Sequence, residues 1–182
     1  DLIVGKSALT LFALWIFDAK GSVEALPRLR KAMKINPQHV DLRAAFANAL
    51  EESGRLQESI LVLSKLQGEP NANYWKQYAS VCISMAENTN DEQWIIEADT
   101  YANNAIELEP SDGSAHDLVA MVTMRNGHSQ KAADHWATAG KLHIDTGEWN
   151  NAEVSFAYAL EINPSQVDLL CGIARAQVEN GR

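Results

Sequence analysis

Four short segments of this chain close in nearly the same way: Ala32-Met-Lys-Ile-Asn-Pro37, Ala105-Ile-Glu-Leu-Glu-Pro110, Ala159-Leu-Glu-Ile-Asn-Pro164 and the weaker Leu66-Gln-Gly-Glu-Pro70. A fifth, ending at Gly140, keeps the alanine spacing without a proline. A small residue, an aliphatic one, then Asn or Glu before Pro, recurring along a chain, marks stacked copies of one helical unit. Such a unit cannot bury its apolar face alone, so the neighbours must cover one another. This constrains the architecture to an all-α one. The ligand is left open, because the architecture presents surfaces and carries no chemistry of its own.

The best-formed copy runs from Ala133 to Gln166. Trp136, Ala139, Gly140 and His143 fall on one helix face, and Ala152, Phe156 and Ala159 mark one face of the next helix before Pro164. Small residues at Gly140, Ala152 and Ala159 let two antiparallel helices approach closely, while Trp136 and Phe156 fill the space beside them. Gly54, Gly127, Gly147 and Gly181 recur between paired helices, where a residue leaving a helix in the left-handed region is best a glycine. Pro37, Pro110 and Pro164 end the second helix of a pair by denying a backbone donor.

This pattern resembles the tetratricopeptide repeat family, a helix-turn-helix of 34 residues with large, small and aromatic residues at these spacings and a closing proline. The 133–166 copy matches at nearly every signature position, with His143 where tyrosine is usual. The resemblance implies a right-handed superhelical solenoid of antiparallel helix-turn-helix repeats. The chain then reads as one repeat domain over 1–182, with units near 4–37, 40–70, 72–110, an irregular 113–132, 133–166 and a trailing helix over 167–180. An insertion at about 86–94 interrupts the third unit. The stretch from Gln130 to Thr146 fits both a first-helix and a second-helix template. Either the helix at 113–126 is unpaired, or 130–146 is shared between neighbouring units. The chain has no initiator Met and stops within a repeat, which reads as a segment of something longer.

Composition excludes several classes. Apolar residues at 46% are ordinary for a folded domain and speak against disorder. A net charge of -9 argues against general nucleic-acid binding, which needs Lys and Arg to neutralise phosphates. Cys82 and Cys171 form neither a disulfide framework nor a metal motif; as packing residues they leave the compartment open and lean toward a reducing, cytoplasmic setting, with a periplasmic or membrane-associated one as the alternative. No phosphate loop, GxSxG, HExxH or CxxC is present, so no catalytic residue, cofactor or metal site is expected. His135 and His143 lie too far apart along one helix to share an ion, and His39 sits in a loop. The stretch over 2–17, opening at Leu2 and closing at Phe17, is almost continuously apolar but interrupted by Lys6 and short for a membrane span. It reads as a first helix buried on several sides, Trp15 included, or as a membrane-contacting or docking helix. Trp75 and Trp136 are read as packing residues, Trp94 and Trp149 as partly exposed.

In the family it resembles, first helices of successive units line a concave groove that holds a peptide or partner helix. Residues beside the packing face should point into it. These are Asp41, Ala45, Asn48 and Glu52; Asn73, Lys76, Gln77 and Ser80; Asp117, Leu118, Met121 and Arg125; and Asp134, Thr138 and Lys141. The strongest set is Asn48, Lys76, Gln77, Ser80, Leu118, Met121, Arg125 and Lys141, with Leu118 and Met121 as an apolar ledge. The Lys, Asn and Arg set by which family members hold the C-terminal carboxylate of heat-shock chaperones is absent, because Ser80, Leu118 and Thr138 stand in its places. The expected role is a protein–protein interaction scaffold. Its rivals are the repeat region of a larger transferase-type enzyme and a membrane-attached assembly factor. For the last, the insertion, followed by Ile106-Glu-Leu-Glu-Pro110 and then Asp134-His135-Trp136, is similar to the repeat segment of cytochrome c maturation chaperones, which closes those proteins whereas here another unit follows.

Overall fold

The computed structural model describes residues 2–181, with the side chains at positions 2–7 and 23 outside the described set. Within these residues the chain is all-α: ten helices and no strand. It divides into two compact units, Asp1–Trp94 and Ile95–Arg182.

The first unit holds α1 (Leu2–Lys20), α2 (Ser22–Ile35), α3 (Val40–Glu52), α4 (Leu56–Leu63), α5 (Ala72–Thr89) and the start of α6 (Gln93–Leu108). Short connections make consecutive helices antiparallel neighbours. Its core collects Ala13 and Ile16 of α1, Ala25, Leu29 and Ala32 of α2, and Leu42, Phe46 and Leu50 of α3. These recur three and four apart, which puts each set on one helix face. Side chains cap the starts: His39 Nδ1 accepts from the Leu42 amide at 3.3 Å, and Asn71 Oδ1 accepts from the Tyr74 amide at 2.9 Å. The insertion near 86–94 is absorbed as added length on α5, which runs 18 residues and ends on Asn90 in the left-handed region at φ 55°.

The expected burial of the first helix on several sides, Trp15 included, does not occur. α1 buries Thr10, Ala13 and Ile16, while Leu9, Leu11, Phe12 and Trp15 are exposed, Trp15 at 57%. Trp15 stacks on Phe12 with ring centroids 6.0 Å apart instead of packing in a core. One apolar stripe is enough to seat the helix on α2 and α3, so the rest of its surface stays open. Among the described residues no helix is long and apolar enough to cross a membrane.

The second unit holds the rest of α6, α7 (Gly113–Arg125), α8 (Ser129–Thr146), α9 (Trp149–Ile162) and α10 (Val167–Glu179). Its core joins Ala120, Ala132, Trp136, Ile144, Ala152, Phe156, Ala159, Leu169 and Ala176. Of the two arrangements open at 130–146, the structure has the shared helix: α8 packs along both α7 and α9. Both connections are tight turns on a left-handed glycine, Gly127 at φ 79° and Gly147 at φ 77°. α8 thus acts as second helix to α7 and as first helix to α9. Phe156, 2% exposed, lies between Gly140 of α8 and Gly172 of α10. A Cβ on either glycine would meet its ring at 2.7 Å.

Candidate functional site

In the first unit, two of the residues expected to face a groove bind each other, and a third, Ser80, joins them through Glu51. Asn48 Nδ2 on α3 donates to Gln77 Oε1 on α5 at 3.0 Å, and Gln77 Nε2 donates to Glu51 at 2.6 Å. Ser80 and Ser84 also donate to Glu51, at 3.0 and 2.7 Å. The carboxylate of Glu51 is satisfied by three neutral donors, and the set forms a polar seam between two first helices. Asp41 at its end accepts from Asn71 at 2.7 Å. Asn48 Oδ1 is buried without a partner. Lys76 is half-buried on the same helix, and Ala45, also expected in the groove, is buried. The spacing gave the correct helix but not the contact, because the distance between α3 and α5 decides whether such residues meet a ligand or each other.

Below this seam lies a buried cation. Arg43, 3% exposed, donates through Nη1 to the Val62 carbonyl and through Nη2 to the Pro37 carbonyl. The Tyr74 hydroxyl donates to the Leu63 carbonyl. Both side chains donate to carbonyls of the last turn of α4, whose negative dipole end also favours a cation. Burial lowers the Arg43 pKa, against a smaller opposite effect of Tyr74.

In the second unit the central group is His143, 1% exposed. Its Nε2 lies 2.8 Å from Asp117 Oδ2 on α7, and its Nδ1 lies 2.6 Å from Glu148 Oε2 at the start of α9. Ser155 on α9 donates to the other oxygen of Asp117 at 2.7 Å. Asn151 donates to Glu148 at 3.1 Å. Burial by itself would lower the His143 pKa; the hydrogen bonds and charges of Asp117 and then Glu148 outweigh it, and the pKa is raised. With a carboxylate at each nitrogen the ring is held as an imidazolium donating twice. Asp117 therefore is not a groove residue. It is drawn inward because histidine at this position offers a donor that a carboxylate can reach. Gly113 makes room: a Cβ there would sit 2.8 Å from the imidazole.

The remaining expected residues lie on the outside of this unit. Leu118 is half-buried and Met121 and Arg125 are exposed, forming one outward strip of α7. Thr138 turns its hydroxyl back onto the Asp134 carbonyl at 2.9 Å. Lys141 borders a hollow of about 250 Å³ between α8 and α10. Phe156, Ile144 and Leu169 give the hollow its apolar lining, and Asp168, Arg175 and the exposed Cys171 stand with Lys141 around it. Cys171 thus is no packing residue, unlike the buried Cys82. Lys141 was expected beside the packing face, and it lines this hollow. Arg175 was missed because the trailing helix was read without a partner; its spacing from Asp168 and Cys171, at seven and four residues, was the available signal.

Stacked antiparallel helix pairs with alanine-rich seams and left-handed glycines at the turns define a helical-repeat protein. Residues 22–80 match the family model for the tetratricopeptide repeat. That stretch belongs to this family, and the chain as a whole has the family's fold. The chain is similar to TTC0263, a thermophilic TPR protein of Thermus thermophilus, with 17% identity, a TM-score of 0.66, and 95% of this chain and 99% of that one covered. It is also similar to MamA, with 16% identity, a TM-score of 0.63 and coverage of 93% and 94%. A third is YrrB, described as a TPR protein with an unusual peptide-binding site, with 17% identity, a TM-score of 0.56 and coverage of 89% and 88%. None of the curated proteins matches the sequence.

Proposed function

We propose that this chain is an interaction scaffold that takes a short segment of a partner protein in the hollow between α8 and α10. One observation carries the reading: Lys141 and Arg175 flank an apolar floor on Phe156. A segment with an apolar side chain for the floor and a carboxylate for the two cations fits that chemistry. The apolar part supplies most of the affinity, and the charges set register and partner choice. The Leu118–Met121 strip of α7 is a second contact for a longer segment. Peptide binding described for a protein of the same fold supports the reading.

The test is fluorescence anisotropy with a panel of labelled peptides that share an apolar anchor and differ in charge. The acidic members should bind best, and the double variant Lys141→Glu, Arg175→Glu should weaken them about tenfold or more. Met121→Asp should have a smaller effect, confined to longer peptides. Equal binding of acidic and basic peptides, unchanged by the double variant, would discard the hollow as the site.

A further inference from the structure

His116 on α7 and His135 on α8 meet through their ring nitrogens although nothing in their spacing suggests a pair. Their Nδ1 atoms are 3.3 Å apart, with ring centroids at 5.6 Å and the planes tilted by 33°. The other nitrogen of His116, Nε2, is 3.1 Å from the Pro110 carbonyl oxygen. A carbonyl only accepts, so Nε2 carries the proton and a lone pair is left on His116 Nδ1. His135 then donates from its own Nδ1 across the gap. Burial, reinforced by the charge of His116 and opposed by Asp134, lowers the His135 pKa. Neutral imidazole is the form that ligates metal ions. Both residues are half-buried, within reach of solvent, and neither takes part in the His143 network or lines the α8–α10 hollow.

We propose that His116 and His135 chelate a late first-row divalent ion such as Zn²⁺ or Ni²⁺ through their paired Nδ1 atoms. Two nitrogens 3.3 Å apart subtend about 107° at an ion placed ~2.05 Å from each, close to the tetrahedral angle. A turn of each ring about its Cβ–Cγ bond converges the two lone pairs on the ion. The ion replaces the bridging proton, which moves to His135 Nε2; both rings stay neutral and no proton is released. The Pro110 carbonyl is the outer partner that fixes the His116 tautomer, as carbonyls commonly do for ligating histidines. Among the described residues no group of three or more His, Cys, Asp or Glu is placed to hold an ion, so water completes the shell. The site is open and exchangeable, and its effect is to clamp α7 to α8.

Calorimetric titration of the full chain with Zn²⁺ and Ni²⁺ near neutral pH tests this, with circular dichroism as the readout of fold. The wild type should bind one equivalent. His116→Gln and His135→Gln should each weaken binding by roughly tenfold or more, and the double variant should lose little beyond either. A second measurement needs no variant: in ¹H–¹³C spectra of the wild type, Zn²⁺ should shift the ring signals of His116 and His135 and spare those of His39, His128 and His143. No binding at millimolar ion, binding unchanged in the variants, or shifts on other histidines would overturn the proposal and leave the pair as a plain imidazole–imidazole hydrogen bond.

Discussion

Each unit of this protein buries one cation among its helices, and the two are neutralised in opposite ways. Arg43 in the first unit is held by backbone carbonyls of Pro37 and Val62. His143 in the second is held by the carboxylates of Asp117 and Glu148. A guanidinium stays charged at every pH a protein meets, so dipoles suffice to keep it. An imidazole near neutrality needs full negative charges to remain protonated in a buried site. The first arrangement ties a loop to a helix end and does not respond to pH. The second ties three helices together and does.

The largest effect should come from crowding the second unit where its helices approach most closely. Gly140→Leu would drive a side chain into the ring of Phe156, which Gly172 holds from the other side. A loss of about 3 kcal/mol is expected, read as the denaturant midpoint of the second unit by hydrogen exchange. Retained stability would mean that α8 and α10 can separate without penalty. Removing the cations should come next. Arg43→Met leaves two carbonyls of the first unit without donors and should cost about 2 kcal/mol, equally at acid and alkaline pH. His143→Gln should cost a similar amount near neutrality, roughly 2 kcal/mol, since Asp117 and Glu148 keep some contact with water.

The pH dependence separates the two more sharply than the magnitudes. The folded-state pKa of His143 is raised, so its contribution is complete below the unfolded value near 6.5 and is lost as pH rises through the folded value. Exchange in α7, α8 and α9 should therefore quicken in the wild type as pH rises through the folded value, and this rise should vanish in His143→Gln. Exchange of α3 and α4, after correction for the intrinsic rate, should show no such step. A matching step in the first unit would erase the distinction. The smallest effect is expected at the α3–α5 seam. Asn48→Ala removes one hydrogen bond and one unpartnered oxygen together, and should change stability by less than about 1 kcal/mol.

The candidate residues were unevenly legible, for a common reason. Lys141, expected beside the packing face, lines the α8–α10 hollow, because a residue one step off a packing face stays off it whatever the neighbour does. Asn48, Gln77 and Ser80 were assigned to the correct helices and to the wrong partners. Side chains on adjacent first helices bond each other when the helices are close enough, and no periodicity reports that distance. Asp117 was misread because its partner, His143, lies on another helix 26 residues away. Trp15 was misread because an apolar run does not say how much of the helix its neighbours can cover.

Taken alone, the amino-acid sequence determined what depends on the local chain. It set the helices and their ends, the glycine turns at Gly54, Gly127 and Gly147, the stops at Pro37, Pro110 and Pro164, and the alanine faces that make a stacked repeat. These follow from backbone conformational preference and from a period of 3.6 residues, both readable within a few turns. Only the tertiary structure decided that α8 serves two neighbours, that His143 is gripped from both sides, that Arg43 caps α4, and that His116 meets His135. Those depend on how far apart two helix axes lie and how each helix is rotated against its neighbour. That is a balance of side-chain volumes over several helices at once, and a shift of one or two ångströms decides whether a polar group finds a ligand, a partner within the fold, or water.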